Sequence, residues 1–390
     1  MMLTRSVLMQ QYPTIDDLIP MAHRRVPQFA QDYLEHGAGR ETLLTRNQSA
    51  FDDIQITPRY MRDISSIDTS KSLFNRKYDL PFGIGPVGLG GLIWPRSENY
   101  TAAAAAEFNI PISLSTVAST TIETMAEQTN GQMWFQLYSP KSESIRFDLI
   151  NRAIAAGVEV LTVTVDVPSP ARRERTLRSG LSLVPKITAR NIAQAAQNPN
   201  WSLQTLRYGI AEFKMFHKYM EDGQSLAERM KFVTDQVGRQ ILPDELAQIR
   251  DRWPGKLVVK GVLHPDDAKY LNSVGVDGVI VSNHGGRQSD ASPTTISMLP
   301  QIRSVAGDMA VMLDSGVRSG LDVFRALTLG ADFVFLGRPF FYGAAALGAE
   351  GPSHVAKVLQ EELSQTMRQM GVVSIDDSRN LREWAKAGGH

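Results

Sequence analysis

Three short stretches of this sequence bring together groups able to handle a proton or an anion. In Ser282-Asn283-His284-Gly285-Gly286-Arg287-Gln288 an imidazole precedes a guanidinium by three residues, with two glycines between them. Imidazole accepts a proton near neutral pH, and a guanidinium fork holds a carboxylate through two hydrogen bonds. A capped loop with a hydrogen-bonded histidine would use the same residues without chemistry. The second stretch is Asp166 with Arg172 and Arg173. Its carboxylate could orient an imidazole and a second guanidinium could double the anion clamp, the plainer alternative being a solvated ion pair. In the third, Asp314-Ser-Gly-Val-Arg318 and Gly337-Arg338 join glycine turns to guanidinium groups. Backbone N–H groups beside arginines favour a phosphate, although Gly316 and Gly337 would also serve plain tight turns. His264 and His217 lack such partners and read as ordinary surface or packed residues.

These residues must be carried by elements that bring them to one place. Apolar runs at 82–86, 111–114, 133–138, 158–165, 257–260, 278–282, 310–314 and 333–336 have the length and composition of strands buried on both faces. Amphipathic stretches at 97–108, 122–128, 144–156, 265–274 and 320–329 read as helices between them. Eight such units predict an α/β chain folded as a (β/α)8 (TIM) barrel over 82–350. An open doubly wound sheet is the alternative, but no Gly-x-Gly-x-x-Gly fingerprint follows a first strand. A barrel gathers the carboxyl ends of its strands around one pocket. Here those ends carry Pro86-Val87-Gly88, Ser115, Gln136, Tyr138, Thr164, Asp166, Lys260, Ser282, His284, Asp314 and Arg338. Packing alone does not demand polar groups at so many strand ends.

Outside the barrel, residues 1–80 read as an N-terminal helical segment. Thr14 opens one helix and a second runs over 27–34 and stops at Gly37. About 90 residues separate the fourth and fifth strands, where a unit needs about 30. This predicts an insertion over the barrel mouth at 176–250, and 351–390 form a C-terminal helical segment.

Composition removes whole classes of function. The 390 residues hold 41 Lys+Arg and 41 Asp+Glu, so there is no chain-wide basic field for nucleic acid. Absence of cysteine excludes disulfides, thiolate metal sites, iron–sulfur clusters and a thiol nucleophile. No His/Asp/Glu grouping has metal-ligand spacing, and no metal is expected. Neither a secretory leader nor a membrane-length apolar run is present, so a soluble, cytoplasmic protein is expected.

On the signature 282–288 and the strand-end residues together, the chain resembles the FMN-dependent L-2-hydroxy acid oxidase/dehydrogenase family, from about 15 to 381. The resemblance implies oxidation of a 2-hydroxy acid to the 2-oxo acid by bound FMN. It implies that His284 is the base, Asp166 its partner, and Arg287 and Arg173 the carboxylate clamp. Tyr138 and Tyr33 would hydrogen-bond the substrate. The flavin ring would lie on Pro86, Val87 and Gly88 and touch Ser115, Gln136 and Thr164, with Lys260 beside its N1–C2 carbonyl region and Ser282 nearby. The phosphate would rest on Gly316, Arg318, Gly337 and Arg338, with Asp314 near the ribityl chain. Hydride and carbanion routes both stay open, since each needs a base, an anion clamp and an electron sink.

Gly88 stands where family oxidases usually carry Ala, which favours a dehydrogenase passing electrons to a quinone or other carrier. An oxidase forming hydrogen peroxide and an inactive flavin-barrel scaffold are the alternatives. Within 176–220 six cations stand against the single acid Glu212, a net +5, with five interleaved aromatics. This pattern suits peripheral contact with a membrane and resembles the attachment insertion of mandelate-oxidising family members; a solvated or oligomer-packed loop is equally compatible. Val117 replaces the Trp of glycolate oxidases, leaving room for a lactate or mandelate side chain. Family members are often tetramers, so a homo-oligomer is expected.

Overall fold

The eight apolar runs pair side by side in a computed structural model that describes residues 5–179 and 188–387. The strands are β1 (Phe82–Ile84), β2 (Ile112–Ser115), β3 (Met133–Leu137), β4 (Val160–Thr164), β5 (Lys256–Val262), β6 (Gly278–Val281), β7 (Ala310–Leu313) and β8 (Phe333–Leu336). Each is parallel to its neighbours, and β8 closes on β1 through pairing of Phe335 with Gly83. This is the expected (β/α)8 barrel. Apolar side chains fill both faces, as a sheet enclosed by helices requires.

Trp134, Val258, Ile280, Met312, Phe333 and Phe335 plug the barrel interior. The hairpin Lys71–Leu73/Arg76–Tyr78 adds Leu73 and Tyr78 to that plug, closing the amino end. With one end filled, polar side chains collect at the other. Register sets them level: Ser115 lies opposite Gln136, and Thr164 opposite Lys260. The pairing of β5 with β6 shifts register between Lys260 and Val262, an irregularity centred on Gly261.

The N-terminal segment packs helices against the barrel mouth. Thr14 and Asp17 form a reciprocal capping box on the helix Ile15–Arg25. Pro27 precedes the helix Gln28–Glu35, and the helix Thr42–Asp52 follows. Between β4 and β5 the chain forms Glu174–Ser179, Ala189–Gln197, Pro199–Tyr208, a 3-10 turn at Lys214–Tyr219, and Leu226–Gln236. Part of the expected 176–250 insertion differs in kind. Pro243–Arg252 buries Leu246 and Ile249 and leads straight into β5, so it supplies the fourth unit's own barrel helix. Periodicity cannot separate such a helix from the inserted ones before it. Lys186, one of the six cations of 176–220, lies outside the described residues. After β8 comes Arg338–Leu347, and then Gly351–Met370 packs back on the barrel helices.

Candidate active site

The loop after β6 departs from ordinary backbone geometry. His284, Gly285 and Gly286 take φ values of 58°, 64° and 74°. Glycine adopts this left-handed region freely, but histidine does so only when its surroundings enforce it. Enforcement comes from a buried amide pair: Asn47 Nδ2 donates to Asn283 Oδ1 at 2.9 Å, and Asn283 Nδ2 returns the bond at 2.6 Å. The Gly286 N–H donates to Asn283 Oδ1, and the Gly285 N–H to Ser315 Oγ.

So held, His284 places Nδ1 at 2.9 Å from Asp166 Oδ1 and Nε2 at 3.1 Å from Tyr138 Oη. A carboxylate only accepts, so Nδ1 carries the hydrogen and Nε2 presents a lone pair, to which Tyr138 donates. Burial lowers the imidazole pKa below its ordinary value and the Asp166 charge only partly restores it, so the ring is neutral at pH 7. Burial alone would raise the Asp166 carboxyl, but His284 and Lys260 outweigh it and keep the group ionised. Burial pushes the Tyr138 phenol up to about 12, so it remains a donor.

Lys260 stands behind this dyad. Its Nζ lies 2.7 Å from Ser282 Oγ, 3.1 Å from Asp314 Oδ2 and 4.0 Å from Asp166 Oδ2. Burial disfavours the ammonium, yet the two carboxylates more than compensate and hold its pKa above the usual lysine value. Ser282 Oγ also accepts from the His284 backbone N–H at 3.1 Å, and Ser315 Oγ donates to Asp314.

Three guanidinium groups converge from other elements. Arg173 Nε donates to the Arg287 carbonyl at 3.2 Å. Arg287 Nη1 donates to the carbonyls of Tyr33 and Leu34 at 3.0 and 3.2 Å. Arg338 reaches the carbonyls of Leu34, Gly285 and His36. Two arginines thus cap the last carbonyls of the helix Gln28–Glu35, where a helix end favours cations. Burial, then Arg173 and Arg338, push Arg287 down to about 9, which leaves it charged at neutral pH. Tyr33 donates to the Gly88 carbonyl at 2.9 Å, leaving its hydroxyl oxygen as an acceptor.

His284, Tyr138, Lys260, Tyr33, Arg173, Arg287 and Arg338 line one cavity of ≈ 950 Å³, with Asp166 and Ser282 just behind its wall. Pro86, Val87, Gly88 and Thr164 line it too, as do Asp314, Gly316, Arg318 and Gly337. Ser115 and Gln136 also lie behind the wall: Ser115 Oγ donates to Gln136 Oε1, whose amide donates to Thr164 Oγ1. The insertion completes the cavity with Trp201, Ala211, Phe213 and Met230. His264 caps the helix Pro265–Ser273, and His217 pairs with Glu212, both away from this cavity.

A family model described as FMN-dependent dehydrogenase matches residues 22–383. The chain belongs to that family. L-lactate dehydrogenase of Acinetobacter baumannii is 38% identical over 364 residues, covering 93% of this chain and 95% of that protein. The enzyme of the same name from Pectobacterium atrosepticum is 38% identical over 358 residues, covering 91% and 92%. Among solved structures, the monotopic membrane protein (S)-mandelate dehydrogenase superposes with a TM-score of 0.91 at 32% identity, covering 96% of this chain and 99% of that one. Mandelate oxidase gives 0.81 at 30% identity, covering 97% and 100%. The protein is an oxidoreductase whose cofactor is FMN.

The residues present fit that cofactor. Gly337, before the helix Arg338–Leu347, lines the cavity end where the guanidinium groups of Arg318 and Arg338 also stand, a setting that suits a phosphate. Arg338, expected at the phosphate, gives three donors to backbone carbonyls and keeps two N–H bonds for other acceptors. Gly316, at φ 91°, has a second reason to be glycine, because an added Cβ would meet the Asn47 carbonyl oxygen at 2.0 Å. Asn47 and Gly261 escaped sequence reasoning. A glycine directly after the strand-end lysine was the one available signal, whereas Asn47 had none.

Proposed function

We propose that this protein oxidises an L-2-hydroxy acid of the lactate or mandelate type to the 2-oxo acid, and passes the electrons to a quinone or another carrier. The observation that carries this reading is His284, backed by Asp166 at 2.9 Å and facing the same cavity as Arg287 and Arg173. The names of the relatives support the same substrate class.

Bound FMN supplies the two-electron acceptor. Arg287 and Arg173 hold the substrate carboxylate, and the donors they already commit to backbone keep the forks oriented. His284 Nε2 takes the proton that the substrate loses. Asp166 fixes the tautomer and stabilises the resulting cation, as a buried carboxylate does for a paired imidazole. Tyr138 yields its hydrogen bond at Nε2 to the substrate and then donates to substrate oxygen. Tyr33 turns its hydroxyl hydrogen from the Gly88 carbonyl to the substrate carboxylate, a group that only accepts. Ser115, Gln136 and Thr164 would offer polar atoms to the flavin ring, and the Lys260 cation would stabilise a reduced, anionic ring. Gly316, Arg318, Gly337 and Arg338 would hold the phosphate, and Asp314 would serve the ribityl chain.

A single-domain organisation, with 176–236 as the mouth insertion, accompanies this reading. Among the described residues no helix is long and apolar enough to cross a membrane. Leu203, Leu206 and Ile210 are nevertheless exposed beside Arg207. These side chains favour peripheral attachment, the state named for the mandelate dehydrogenase neighbour. Self-association follows from the family resemblance and is read by light scattering.

The reading is tested by mixing FMN-loaded protein anaerobically with a panel of 2-hydroxy acids while flavin absorbance is followed. Bleaching by the L- but not the D-enantiomers is expected. Failure of every acid to bleach it would leave the scaffold reading. Rapid peroxide formation on admitting air would favour an oxidase.

A further inference from the structure

Arg173 is presented to the cavity by a segment with no apolar anchor. The helix Glu174–Ser179 starts at the next residue, is six residues long, contains no buried side chain and exposes Leu177. A helix this short has little stability of its own. Repulsion also acts on the segment, since Arg173 stands near enough to Arg287 to weaken that cation.

What opposes the repulsion is a polar latch to the N-terminal segment. Arg175 Nη1 lies 3.4 Å from Glu35 Oε2, and its Nη2 donates to Glu41. Thr176 Oγ1 lies 3.0 Å from His36 Nδ1. Each partner is itself fixed. Glu35 and His36 end the helix whose carbonyls Arg287 and Arg338 cap, and Glu41 accepts from the Gly37 N–H at 3.1 Å. The latch therefore ties the Arg173 segment to the same helix end that Arg287 grips.

We propose that Arg175, through Glu35 and Glu41, is a positioning residue that sets where Arg173 meets the substrate carboxylate. This rests on the clamp role of Arg173 given above. The Arg175 side chain is 32% exposed, and ion pairs of that exposure contribute little to global stability. Its loss misplaces a charge and leaves the fold intact.

The test is a cycle of Arg173→Met, Arg175→Met and the double variant. Anaerobic reduction of bound FMN by L-lactate and by (S)-mandelate is followed, normalised to flavin content. Arg175→Met is expected to raise the half-saturating concentration about tenfold while the limiting rate falls no more than about threefold. In the Arg173→Met background the same change should add less than about twofold, because the two act as one unit. Arg175→Lys should recover part of the loss. Normal half-saturation in Arg173→Met would overturn the clamp itself. A weakened Arg173→Met beside an unaffected Arg175→Met would overturn the latch alone, as would equal effects of Arg175→Met in both backgrounds. Should Arg175→Met not fold, Glu41→Gln replaces it in the cycle with the same expectations.

Discussion

Gly261 touches Asp166 so closely that no side chain fits between them. An added Cβ would stand 2.4 Å from the Asp166 Cβ, and the glycine holds φ 104°. Alanine there must displace the carboxylate that fixes the His284 tautomer. Gly261→Ala should keep FMN but slow its reduction by substrate about 100-fold, the scale of an ångström-level misplacement. Stopped-flow absorbance measures this, and a normal rate would remove Asp166 from its orienting role.

His284 predicts both a variant and a pH profile. His284→Ala should retain FMN and lose about 10²- to 10⁴-fold in the reduction rate, the range of general-base catalysis. In the natural chain the base is the neutral imidazole, whose pKa burial sets below 6.5. Activity should therefore be independent of this group above pH 6.5 and fall as pH drops through the lowered value. Asp166→Asn removes the charge that partly restores that pKa, so the acidic limb should move further down. An acidic limb above 6.5 in kcat/KM would contradict the burial argument.

Lys260 neutralises a pair of buried carboxylates. Lys260→Met would leave Asp166 and Asp314 without their cation, at a cost of about 3–5 kcal/mol for a broken buried pair. Denaturant unfolding of the holoprotein reads this. Lys260→Met with Asp314→Asn should recover part of it, and equal stability of the single and double variants would deny the coupling.

Gly88 and Val117 are matched in size. A Cβ on Gly88 would approach Val117 Cγ2 to 2.6 Å. Gly88→Ala should cost about 1–3 kcal/mol as an overpacked contact, and Val117→Ala in the same chain should return most of it. Thermal unfolding of the two variants decides, and an additive loss would refute the match.

Leu203 and Leu206 test the membrane reading. Replacing both by Ser should release the protein from vesicles containing anionic lipid while flavin reduction by substrate is unchanged. Equal sedimentation with vesicles before and after would refute attachment through this face.

The one-dimensional pattern determined a good deal. Runs such as 158–165 and 333–336 are apolar on both faces because the barrel buries both, so strand type and number were legible. The His284–Arg287 loop was legible because its residues are adjacent in the chain. Tertiary structure alone decided the rest. Asn47 meets Asn283 across 236 residues, Arg287 reaches Leu34 across 253, and Arg175 reaches Glu35 across 140. A hydrogen bond between such residues leaves no periodicity and no local composition, because it depends only on where the closed sheet places its ends. The same closure turned one predicted stretch of insertion, Pro243–Arg252, into a barrel helix, since only an assembled ring shows which helix fills the fourth place.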